Sequence, residues 1–231
     1  MMGLTLPERS RRAFDQLIGD ATRVFGDRFV ALVAYEPVAS LVFVSSVTSG
    51  DLDALAVLAE TWYRDGLRTP IVMTPAEFRR SVDAFPLEYQ AILDRHLVLA
   101  GRSPLGEISI APADLRRACE VQARAQLIHL REGWIESASH ADDLAEVIVR
   151  SAGPLRALLA NVARLNGALP EEPDALARAA EDIIGMPADL VEAVLKLEDA
   201  PERSHALVPR MPDYLAAVER LWAFIDTWRA Q

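Results

Sequence analysis

Two aspartates one residue apart, Asp51 and Asp53 in Ser49-Gly-Asp-Leu-Asp-Ala-Leu55, have a spacing that suits shared metal chemistry. On a strand, residues i and i+2 point to the same side, so two such carboxylates can converge on one divalent cation. The same residues have a second reading. Leu52, Leu55, Leu58, Ala59 and Trp62 form a helical stripe. Ser49 would then cap a helix, with both aspartates in its first turn, where the helix dipole favours negative charge. The Ala-rich composition after Asp53 favours the helix.

The remaining reactive residue types are dispersed. His96, His129, His140 and His205 form no i, i+4 ligand pair, and the surroundings of His129, with Arg131 and Glu132, read as a helix surface. Cys119 is the single cysteine, so the chain has neither an internal disulfide nor a cysteine-based zinc site, and its place in a helical stretch reads as a small buried residue. Ser151-Ala-Gly-Pro154 lacks the flanks of a nucleophile elbow, and Gly133, Gly153 and Gly185 are isolated, so no phosphate-cradling loop is present. Arg116, Arg117, Arg124 and Arg131 could line one helix and bind an anion, but ion pairing with neighbouring acids is the ordinary use. Glu171-Glu-Pro-Asp174 reads as an acidic loop entering a helix. Trp62, Trp134, Trp222 and Trp228 sit on helical stripes and read as core or interface anchors.

Composition narrows the classes of function. Of the 231 residues, 51% are hydrophobic and 25% charged, which excludes a disordered chain. A net charge of −10 repels phosphate backbones and argues against nucleic-acid binding. Apart from Lys196, the Lys and Arg cations are all arginines, the usage expected of a GC-rich genome. No apolar run approaches the ~20 residues that span a bilayer. The first residues carry Glu8, Arg9, Arg11 and Arg12 ahead of an amphipathic stretch, unlike a signal peptide, so a cytoplasmic protein without a membrane anchor is expected.

The elements that must position these residues follow from periodicity and punctuation. Residues 7 to 25 read as a helix with Phe14, Leu17, Ile18, Ala21 and Val24 on one side, entered at Pro7 and closed at Gly26. Phe29 to Tyr35 and Ser40 to Ser45 are apolar strands joined by Glu36-Pro-Val-Ala39, an antiparallel pair. A helix over 50 to 65 ends at Gly66, and Pro70 to Met73 is a third strand. Thr74-Pro-Ala-Glu77 then has the pattern of a capping box. A short helix follows, another starts after Pro86, and His96 to Ala100 is a fourth strand closed by Gly101.

Past Pro104 all periodicity is helical, over 112 to 137, 141 to 166, 173 to 184, 187 to 199 and 212 to 229, with Pro154 expected to kink or split the second helix. Tyr214, Val218, Leu221, Ile225 and Trp228 make one apolar stripe that needs bundle partners. The expected fold is an α+β domain over 1–104, a small mixed sheet flanked by helices, followed by an all-α bundle over 105–231.

This order resembles the nucleotidyltransferase superfamily, in which a polymerase-beta-like domain precedes a helical domain, as in kanamycin nucleotidyltransferase. The likeness rests on Thr69-Pro-Ile-Val-Met-Thr-Pro-Ala-Glu-Phe78, Phe85-Pro-Leu-Glu-Tyr89 and His96-Leu-Val-Leu-Ala-Gly101. The resemblance implies a Gly-Ser turn after the first strand, an acidic pair opening the second, a further carboxylate on a later strand, and Mg with ATP as cofactor and substrate. At the turn stands Tyr35-Glu-Pro37, where proline removes an N–H and Glu36 adds negative charge. Ala39-Ser-Leu41 opens the second strand, and Pro70 to Met73 carries no acid. The expectation is therefore a catalytically inactive, nucleotidyltransferase-like protein acting as a binding or regulatory module. The alternatives are an active enzyme holding its metal on Asp51 and Asp53, or a structural module that meets a protein partner or a second copy through its helices.

Overall fold

The computed structural model describes residues 4–137, 140–170 and 172–229. They divide into two compact units, the first running through Ile110 and the second from Ala111.

The first unit opens with α1 (Glu8–Phe25), entered at Pro7, whose fixed φ suits a helix start, and closed by Gly26 at φ 53°. β1 (Phe29–Ala34) and β2 (Ser40–Val44) form the expected antiparallel pair, in register from Ala34 opposite Ser40 to Ala31 opposite Phe43. α2 (Ser49–Arg64) returns the chain to β3 (Ile71–Met73), which lies parallel to β2. α3 (Pro75–Ser81) and α4 (Pro86–Asp94) lead to β4 (Leu97–Gly101), antiparallel to β1 on its free side. The sheet is mixed, with order β3-β2-β1-β4.

Alternation along the strands builds two cores. Leu32, Ala34, Val42 and Val44 face α1 and α2, joining Phe14, Leu17, Phe25, Leu55 and Trp62. Trp62 is buried and donates its indole N–H to Asp20 at 3.0 Å, a long-range polar tie within that core. On the opposite face Phe43 meets the edge of Phe78, with ring centroids 5.6 Å apart, and Phe78 stacks on Tyr89 at 4.3 Å. The Thr74–Glu77 capping box forms as expected, Glu77 N–H to Thr74 Oγ1 at 3.1 Å and Thr74 N–H to Glu77 Oε2 at 2.7 Å.

β4 needs its terminal glycine. Gly101 has φ 74°, and a Cβ there would stand 2.1 Å from the Val30 carbonyl oxygen. The register slips between Leu32 and Val33, leaving Leu99 as an extra residue on β4, so the last residue of the strand is drawn tightly onto β1.

The second unit holds α5 (Pro112–Glu136), α6 (Ala141–Leu165), α7 (Pro173–Ile184), α8 (Ala188–Leu195) and α9 (Met211–Thr227). α5 packs on α6 and α9. Gly133 meets Val147 while Gln126 reaches Ser151, so α5 and α6 run antiparallel. Tyr214, Val218, Leu221 and Ile225 are buried along α9.

The structure corrects several expectations. Of the kink or split expected at Pro154, the split does not occur: one helix runs from Ala141 to Leu165 with the proline inside it, held by the packing of α6 on α5 and α7. Trp228 is only half-buried, because α9 ends at Thr227 and the ring lies past the last turn, its N–H 3.3 Å from Asn166 Oδ1. Leu52 does not share the α2 stripe and is exposed, since that end of the helix turns it from the core. A ten-residue 3-10 segment, Pro201–Arg210, lies where no element was expected. Glu171 lies outside the described residues; its neighbour Glu172 stands at the N-cap position of α7 without a side-chain capping bond, and Asp174 pairs with Arg178 at 2.8 Å.

Candidate functional site

The β1–β2 connector is the place where the resemblance puts a phosphate-binding turn. It closes as a tight hairpin: Tyr35 N–H donates to the Ala39 carbonyl at 3.1 Å and Ala39 N–H to the Glu36 carbonyl at 3.4 Å. Arg68, ahead of β3, binds the hairpin twice, by its backbone N–H to the Val38 carbonyl at 2.8 Å and by its guanidinium to Glu36 at 3.1 Å. The nearby amides therefore point at protein acceptors. Burial, with the Glu36 carboxylate next, pushes the Tyr35 phenol up from its ordinary value.

Asp51 and Asp53 both lie on α2. Thr48, not Ser49, is the N-cap: Asp51 N–H donates to Thr48 Oγ1 at 3.3 Å, and Thr48 N–H returns a bond to Asp51 Oδ2 at 2.8 Å. Thr48 wins because its extended backbone, φ −121° and ψ 163°, aims its side chain at the third helical N–H. Arg28 closes on both carboxylate oxygens of Asp51, Nη1 at 2.6 Å and Nη2 at 2.7 Å, in a bidentate pair with Asp51 only 7% exposed. The guanidinium, assisted by Thr48, holds the carboxyl well below the usual carboxylate range, and Asp51 in turn raises Arg28. Asp53 falls beyond the first turn and is exposed. Residues i and i+2 of a helix diverge by about 200°, so the two carboxylates do not converge on a common point. They do not fit the metal that the resemblance implies. Among the described residues no three His, Cys, Asp or Glu side chains gather closely enough to hold an ion.

The other residues singled out in the sequence take structural roles. Arg117 and Arg124 pair with Asp114 and Glu120, Arg116 also with Glu120, and Arg131 with Glu219. His96 and His140 bond backbone carbonyls, while His129 and His205 bond Glu132 and Asp142. Cys119 is fully buried, and burial pushes its thiol up to about 12. Among the described residues no helix is long and apolar enough to cross a membrane.

The helical unit also holds a cavity that the sequence pattern did not foretell. A groove of about 370 Å³ opens between α5 and α6, with Gln126, Ser151 and Pro154 towards one end and Gly133 and Val147 towards the other. Its formation follows from those residues. A Cβ at Gly133 would come within 2.7 Å of Val147, so the helices touch there. A polar chain lies beside it: Ser151 Oγ donates to the Ile148 carbonyl at 2.6 Å, Tyr214 O–H reaches Ser151 Oγ at 2.8 Å, and Gln126 Nε2 reaches Tyr214 at 3.2 Å. Gln126 is 5% exposed, and its Oε1 has no partner among the described residues. The sequence signal was a glutamine on the buried face of α5, set among Ala123, Leu127 and Leu130.

No family profile, no curated protein and no solved structure matches this chain.

Proposed function

We propose that this protein is a nucleotidyltransferase-like scaffold that has lost transfer chemistry and serves as a binding or regulatory module. The observation that carries the reading is the engagement of Asp51. Its carboxylate is saturated by Arg28 and by the Thr48 cap, on a helix whose geometry turns Asp53 away. Glu36, bound to Arg68, adds charge at the turn where a triphosphate would have to lie. A cytoplasmic location and indifference to nucleic acid belong to the same reading, supported by the lone reduced-type cysteine and the net charge of −10.

Thermal melts with and without Mg-ATP test it. A ligand that binds only the folded state raises the melting temperature by mass action. No Mg-dependent shift is expected in the parent or in the double variant Asp51→Ala plus Asp53→Ala. A shift in the parent that the double variant abolishes would overturn the reading in favour of the metal-dependent enzyme.

A second reading, an interaction module working through its helices, is favoured by Val121, Ile128 and Ile135. These are 67%, 45% and 79% exposed at seven-residue intervals on α5. Light scattering of the parent and of Ile128→Glu distinguishes a homodimer from a monomer.

A further inference from the structure

We infer that α5 pairs with α5 of a second copy of this chain, the two helices side by side, parallel and in register. The face of α5 opposite its buried residues carries a seven-residue repeat of its own. Val121, Ile128 and Ile135 form the crest of that face at 67%, 45% and 79% exposure. Ala118, Ala125 and Glu132 run alongside, each three residues before a crest residue. Together they have the alternating three- and four-residue spacing of a coiled-coil seam, with alanines small enough to let two helices come close. Single exposed apolar side chains need no explanation, but three branched ones aligned on one helix mark a contact surface. α5 is already held as a helix by its packing on α6 and α9, so pairing does not have to meet the cost of forming it.

The charges beside the seam choose the occupant and its direction. Arg117, Arg124 and Arg131 line one flank, and Gln122, His129 and Glu136 the other, again at seven-residue intervals. The arginines are paired within their own chain, with Asp114, Glu120 and Glu219, yet all three side chains remain more than half exposed. A guanidinium has five donor hydrogens, and one carboxylate does not use them up. Two identical helices running antiparallel bring each flank against itself, which here sets arginine against arginine, and like charges face to face are unfavourable. Running parallel, they bring each flank against the other. Arg131 then falls opposite the exposed Glu136 of the second copy, and Arg124 and Arg117 opposite its His129 and Gln122, side chains with acceptor atoms. The pattern is complementary to itself, and a two-fold axis along the seam closes the contact at two chains. Glu132 is the charged member of the seam and meets its own counterpart there. It costs stability, and a polar residue at such a position fixes the register of identical helices.

This inference rests on the reading of the chain as an interaction module working through its helices and gives that module its partner. Sedimentation of the full chain over a concentration series tests it, with thermal melts to establish that each variant folds. The parent is expected to dimerise, and Ile128→Glu, which puts a charge on the crest, to stay a monomer. Val121→Cys and Ile135→Cys stand two heptads apart at exposed sites. Each is expected to give a crosslinked dimer under an added mild oxidant, because a parallel pair sets every crest residue against its own copy. Cys119 is buried and does not compete. Glu136→Arg, which sets arginine against Arg131 of the second copy, should weaken the dimer several-fold. A parent that stays monomeric throughout removes self-association, and with it the homodimer form of that reading. A dimer that survives Ile128→Glu, that crosslinks at only one of the two cysteines or at neither, or that Glu136→Arg leaves unchanged overturns the parallel α5 pairing while leaving self-association itself in place.

Discussion

Arg28, just before β1, and Asp51, in the first turn of α2, form a two-pronged ion pair at 2.6 and 2.7 Å that ties the start of the sheet to the start of the helix crossing it. The same aspartate closes the capping box with Thr48, so one carboxylate serves both a helix end and a tertiary clamp.

Asp51→Asn should therefore lower the melting temperature, whereas Asp53→Asn, on the exposed side, should leave it unchanged. The pH dependence carries a sign. Because the folded carboxyl is held below its ordinary value, its stabilising contribution is present above the unfolded value near 4 and lost as pH falls towards the depressed folded value. Denaturant midpoints measured from neutral pH down through that range should converge for parent and Asp51→Asn. Parallel curves would mean that the pair contributes nothing.

Gly101→Ala should be among the most damaging single-methyl substitutions in the first unit. The left-handed backbone alone costs about 1–2 kcal/mol for a residue with a Cβ, and the clash with the Val30 carbonyl adds to it. Hydrogen exchange at the β4 amides reports the damage directly: they should lose protection first, while β2 keeps its own.

Leu221→Asp places a charge at a site with no exposure and should destabilise by on the order of 3 kcal/mol or more. Trp228→Ala, beyond the end of α9, should cost far less. A chemical melt followed by circular dichroism separates the two, and equal losses would mean that Trp228 anchors the bundle after all.

Tyr214 gives an alkaline counterpart to Asp51. Burial pushes its phenol up to about 12, above the ordinary 10. Between those values the unfolded chain has released the proton and the folded one retains it, so stability falls as pH rises, by on the order of 2 kcal/mol across the window. Cys119 acts in the same direction from its ordinary 9. Tyr214→Phe should flatten the alkaline slope and Cys119→Ala should flatten it further; urea midpoints across that range measure both.

Element positions were largely legible because this chain punctuates itself. Pro7, Gly26, Gly66, Thr74-Pro75, Pro86, Gly101, Pro112 and Gly185 fall at or beside helix and strand ends, and each acts locally, the prolines and glycines through their backbone and Thr74 through its capping hydroxyl. The Pro201–Arg210 segment escaped because a 3-10 helix has no 3.6-residue stripe to betray it. What Asp51 does was half legible. Its place near a helix start follows from local spacing, but its partner Arg28 lies 23 residues away and only the fold brings them together. The groove had no linear signature, because Gln126 and Pro154 mean little until α5 and α6 are laid side by side.

The sheet order also sets a folding sequence. β1 lies between β2, which follows it through a five-residue connector, and β4, which reaches Ala34 only from Leu97. Closing the short hairpin forfeits little chain entropy, while bringing β4 home means ordering everything between, so β1 and β2 form the seed and β4 is the last strand zippered on. Pulse-labelled exchange during refolding should find Val42 protected before Val98; the reverse order would place the nucleus elsewhere. β4 shares the rim of the sheet with the shorter β3, and the seam that holds it to β1 is the one that Gly101 fastens.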